Sequence, residues 1–164
     1  MPRPPRSDEE LQKAARFFGY EVQQLSLSAV AFLNQIFFGH PINNATLESF
    51  LVHYRNVRDF LYPNNPRDDD IIGVDFFPDP SQWPFVLGDW EEVADLEKER
   101  LDRALAHLSY SRIAYEEEKK KGWPVKDMAV AAIKSVKTYL GKLPAQRRDY
   151  FQLADESTGI IPTT

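Results

Sequence analysis

The chain has 164 residues, 43% of them apolar and 27% charged, with a formal net charge of −5 and no cysteine. That length carries a single domain with its own core. The composition excludes a disulfide framework, a thiolate metal site and a cysteine nucleophile, and the acidic balance disfavours RNA or DNA unless a local basic patch compensates.

The chain opens on MPRPPRSDEE, which lacks the apolar core of a signal peptide. No later run is long and apolar enough for a membrane span, so no membrane partner and a cytoplasmic location are expected. Residues 1–6 read as a disordered Pro/Arg tail. Residues 7–153 read as one helical domain, and 154–164 as a polar C-terminal tail. Ser7 with Glu10 three positions later is a capping box that starts the first helix. Leu11, Ala15, Phe18, Val22, Leu25, Ala29, Phe32 and Ile36 then alternate steps of four and three, a heptad seam. Gly39 and Pro41 are its expected stop. Phe17, Leu27, Val30, Leu33 and Phe37 exceed what one seam needs, which predicts a homodimer or a protein partner.

The second helix is predicted over about 44–62. Asn43 and Asn44 supply its N-cap, and Tyr62-Pro63 ends it because the residue before proline avoids helical dihedrals. Leu47, Phe50, Leu51, Tyr54, Val57 and Leu61 form one apolar stripe. Arg58 projects within about 20° of Leu47 and Leu51, into that stripe. Glu48 and Arg55 share one flank, and His53 and Phe60 the other. Residues 63–89 contain five prolines and several aromatics. They read as a long crossover folded over the helices.

A third helix is predicted over about 90–121, its lysine run 119–121 suiting the C-terminal end of the dipole. Arg112 lies about 20° from Leu101 and Leu105, a second arginine in an apolar stripe. A fourth helix starts at Trp123-Pro124 and carries Val125, Ala129, Ala132, Val136, Tyr139 and Leu143. A short terminal helix over 145–153 follows. The fold class expected is all-α, a four-helix antiparallel bundle with a long aromatic-rich crossover between helices 2 and 3.

Buried arginines need carboxylate partners. Arg58 and Arg112 therefore either brace the interior against a crossover acid among Asp68, Asp69, Asp70 and Asp75, or bind an anionic ligand beneath the crossover. Glu48 and His53 join them as candidate bracing or ligand-binding residues. His40, His53 and His107 show no metal-ligand spacing. The run Asp68–Asp70 with Asp75 lacks the calcium-loop pattern. No metal and no cofactor is implied.

Arg100 and His107, an arginine and a histidine separated by six residues on one helix, resemble the Rx4-6H motif of HEPN domains. The resemblance implies a helical bundle whose arginine and histidine face their copies across a dimer and cleave RNA without metal. Arg100 and His107 would then be the catalytic pair, with histidine as proton acceptor and arginine steadying the phosphorane. Leu101 departs from the pattern, where many members carry a polar residue. Lys98, Arg103 and Lys119–Lys121 are the candidate basic patch. The stretches ESFLVHYRNVRDFLY and ALAHLSYSR are also similar to an uncharacterised bacterial helical family. The residues taken alone favour a non-enzymatic interaction or self-association module, with a HEPN-like ribonuclease or anionic-ligand-binding relative as the alternative.

Overall fold

A computed structural model describes residues 4–34, 40–79, 81, 83, 101 and 122–161. All regular structure among them is helical and none is strand. Numbered in the order these residues supply them, the helices are α1 (Asp8–Leu33), α2 (His40–Leu61), α3 (Val125–Lys142), α4 (Ala145–Arg148) and α5 (Gln152–Ser157), with 3-10 turns at Gly73–Phe76 and Asp149–Phe151. No helix among the described residues is long and apolar enough to cross a membrane.

α1 starts as its sequence dictates. Ser7 Oγ accepts from the Glu10 N–H, and the Glu10 carboxylate accepts from the Ser7 N–H, closing the capping box. The seam residues Leu11, Ala15, Phe18, Val22, Leu25 and Ala29 are all buried. The helix ends at Leu33 rather than near Gly39. Asn34 terminates it, its side-chain amide and its backbone N–H both donating to the Val30 carbonyl at 2.8 and 3.1 Å. Arg6, expected in a disordered tail, donates from its guanidinium to the Asp68 carbonyl.

α2 begins at His40, so Asn43 and Asn44 lie inside it instead of capping it. Pro41 is the reason. Its fixed φ suits the first turn, and its missing N–H is one that no intrahelical acceptor would have paired. The stop is as expected: α2 ends at Leu61, ahead of Pro63. Phe18 stacks on Phe60 at 3.8 Å between ring centroids, while Glu21 meets His53 and Asn56. Numbers rise along α2 as they fall along α1, so the two helices run antiparallel. Asn65 then takes a left-handed conformation, φ 53°, and turns the chain back. Asparagine tolerates this region better than other side chains that carry a Cβ.

The aromatics of the following segment are docked in the core. Phe76, Phe77 and Trp83 are buried, and the Trp83 indole N–H donates to the Leu61 carbonyl at 2.8 Å. That bond satisfies a carbonyl at the C-terminal end of α2 that has no helical partner. Tyr139 of α3 donates its hydroxyl to the Gly73 carbonyl at 3.0 Å. Burial holds the Tyr139 phenol well above its ordinary range, and the charge of Asp75 adds to this against the opposing pull of Arg147. Every expected seam residue of the fourth predicted helix, from Val125 to Leu143, is buried.

The C-terminal segment differs from expectation. Residues 152–157 are helical, and Ala154, Ser157, Thr158 and Ile161 are buried. Gly19 of α1 makes this possible, since a Cβ there would lie 3.0 Å from Leu153 Cβ and 3.3 Å from the Ala154 nitrogen. The Ser26 hydroxyl donates to the Ser157 carbonyl at 3.3 Å. The small residues at this seam, Ala154 and Ser157 facing Gly19 and Ser26, let two backbones approach, which apolar counting along one segment does not register.

Candidate functional site

α1 and α2 diverge on one side of the Phe18–Phe60 stack, and the returning segment 63–72 walls the gap. The result is a cleft of 480 Å³, with Arg55, Arg58 and Asp59 on α2, Phe17 and Glu21 on α1, and Asp70 and Ile71 on the third wall. Its polar groups come from positions where the helical stripes meet their charged flanks.

Arg58 points into the apolar stripe as the spacing predicts, and is only 7% exposed. Its acid is not a crossover aspartate. Arg58 Nε and Nη2 donate at 3.1 and 2.9 Å to a single oxygen, Oδ1, of its sequence neighbour Asp59. Neighbouring positions on a helix lie about 100° apart, which is why spacing alone rejects this pair. The long arginine stem bends sideways along the helix and closes the angle. Asp59 is itself half-exposed and also meets Arg55 Nε at 3.6 Å. The remaining nitrogen, Arg58 Nη1, is buried with no hydrogen-bond partner.

His53 lies on the opposite flank of α2. Its Nδ1 sits 2.7 Å from Glu21 Oε2, to which the Asn56 amide also donates at 2.9 Å. Tyr20 packs its ring edge-on to the imidazole at 5.7 Å. Burial works against the charge on Glu21, but the hydrogen bonds from His53 and Asn56, joined by the positive form of His53, outweigh it. The carboxyl is held below its ordinary range. Both contacts fall on Oε2, leaving Oε1 for a further donor. Neither Glu21 nor Asn56 is singled out by the sequence. Each is an ordinary flank residue on its own helix, and only the antiparallel register brings them together.

The other candidates do not converge here. Glu48 is exposed on the outer side of α2. Asp75 lies in the 3-10 turn and acts on Tyr139 rather than on Arg58. Arg100, His107 and Arg112 lie outside the described residues, and the side chain of His40 with them. Among the described residues, no group of three or more histidine or carboxylate side chains is placed to hold a metal ion.

A second feature is apolar. Tyr20, Leu27 and Leu33 of α1 and Ile42 and Val52 of α2 are large side chains turned to solvent. Leu27 and Leu33 are 47% and 45% exposed, so the excess of apolar residues expected on α1 is not absorbed by the core. Compared with known proteins, the chain matches no family model, no curated protein and no solved structure.

Proposed function

We propose that this protein is a non-enzymatic helical module of the cytoplasm that acts by association, and that its first partner is a second copy of itself. The observation that carries this reading is the row of exposed apolar side chains on α1, Tyr20, Leu27 and Leu33, beside Ile42 and Val52 of α2. Burying such side chains contributes about 25 cal/mol per Å² of apolar area removed from water. Two antiparallel helices offering them side by side suit a symmetric pairing of like faces. The complete architecture in this reading is a four-helix antiparallel bundle. The segment over about 90–121 supplies its remaining helix, and the aromatic-rich segment before it serves as the crossover. The buried Phe76, Phe77, Trp83 and Leu101 are what such a crossover and helix need to contribute.

Light scattering after size exclusion at tens of micromolar tests the reading. The expected result is a dimer mass that falls to the monomer mass in Leu27→Glu and Leu33→Glu, with helical content by circular dichroism unchanged. A monomeric mass independent of concentration in the parent protein overturns it.

A further inference from the structure

The cleft beside Arg58 carries a second inference, independent of self-association. A guanidinium presents two edges that can each hold a carboxylate: one formed by Nε and Nη2, the other by Nη1 and Nη2. In Arg58 the first edge is taken by one oxygen of Asp59. The second is incomplete, because Nη1 is buried without a partner. The side chain is 8% exposed, against 47% for that of Asp59. A guanidinium so withdrawn from water ordinarily has its donors met, since each buried unpaired donor is costly. The missing acceptor is therefore the property that needs explaining, and Arg58 lines an open cleft.

The rest of the lining restricts what that acceptor can be. A phosphate or other dianion would sit among Glu21, Asp59 and Asp70 and be repelled. A single carboxylate on the free edge of Arg58 is tolerated, and a cationic group on the same molecule would be drawn to Glu21 Oε1 and Asp70. Phe17, Phe18 and Ile71 supply an apolar wall between the two. Phe17, 64% exposed, stands at the cleft with little else to cover it. The volume of 480 Å³ falls within the range of small-molecule sites. The geometry points to a small zwitterion of the α-amino-acid class with an apolar side chain. Its carboxylate seats on the Nη1–Nη2 edge of Arg58, its ammonium faces Glu21 and Asp70, and its side chain rests on Phe17 and Phe18.

Calorimetric titration with three probes tests this: L-phenylalanine, 3-phenylpropionate, which lacks the ammonium, and phenethylamine, which lacks the carboxylate. The expected result is binding of phenylalanine, with each analogue weaker by about tenfold or more, equal to about 1.4 kcal/mol per lost partner. Arg58→Met should abolish phenylalanine binding. Asp70→Asn should weaken phenylalanine while leaving 3-phenylpropionate unchanged. If Arg58→Met does not fold, the probe series on the parent and the exposed Asp70→Asn decide. No heat from any probe up to about 10 mM, well beyond the range of weak but specific sites, overturns the inference. So do equal affinities for all three probes, or unchanged phenylalanine binding in folded Arg58→Met.

Discussion

At Arg58, stability and binding make opposite demands. A guanidinium held by one half-exposed carboxylate, with a nitrogen left over, contributes little to the folded state relative to a flexible apolar chain of similar length. Replacing a buried ion pair by hydrophobic groups is often neutral or stabilising. Arg58→Met is thus expected to cost less than about 1 kcal/mol, or to stabilise. Asp59→Ala removes the counter-ion and leaves the guanidinium behind, and should cost about 1–3 kcal/mol. Urea unfolding of the two variants beside the parent checks the order, and a larger loss in Arg58→Met would show that the pair is an internal brace. Glu21 gives a pH-dependent counterpart. Its carboxyl titrates lower in the folded state than its ordinary value of 4.5. Its contribution is therefore fully present above that value and is lost as pH falls through the depressed folded value. Glu21→Gln should flatten the acid side of the stability profile and leave the slope between pH 6 and 8 unchanged, to within about a few tenths of a kcal/mol. Identical acid limbs in thermal melts of both proteins would disprove the coupling.

Among the elements, the docking of α5 on α1 is the least obvious from sequence and the easiest to break. Ala154 is fully buried beside Gly19. Ala154→Glu would force a carboxylate into that seam without a partner and is expected to destabilise by about 3–5 kcal/mol. Gln152→Ala, on the exposed side of the same helix, should stay within about 0.5 kcal/mol. A chemical-denaturation midpoint for Ala154→Glu equal to the parent's would mean that the helix is dispensable. The contrast marks where sequence reading succeeds. The seams of α1 and α3, and the burial of Arg58, follow from spacing because each is a periodicity of one helix on its own axis. The capping box follows because its partners are three residues apart. Partners distant in the chain carry no such mark. Glu21 with His53 and Asn56 depends on the antiparallel register, and Gly19 with Ala154 on a close approach that small residues permit but do not announce. The Asn34 stop and the Pro41 start are local, yet each competes with stronger punctuation nearby at Gly39 and Asn43.

For the molecule as a whole, charge sets the expectation toward nucleic acid. A net charge of −5 repels a polyanion at long range unless basic residues gather on one face. Purified protein is therefore expected to leave both single-stranded and structured RNA intact under conditions near neutral pH and physiological salt. The assay is gel analysis after extended incubation, with His107→Ala alongside. Cleavage by the parent that disappears in the variant would establish Arg100 and His107 as a catalytic pair and reverse the non-enzymatic reading.

The rings at the centre of the fold have a consequence for how the protein is made. Phe18 comes from α1, Phe60 from α2, Phe76 from a 3-10 turn, Tyr139 from α3 and Phe151 from the C-terminal 3-10 turn, yet each lies within ring contact of others in the set. Phe151 is the last of them to leave the ribosome. Until it arrives, the nascent chain has no means of closing this cluster, and Phe18, Phe60 and Phe76 wait with their faces uncovered through most of translation. Such surfaces are what chaperones recognise and what drives premature aggregation. Ribosome-bound chains stalled before Phe151 should bind a hydrophobic dye that chains stalled well beyond the buried Ile161 exclude.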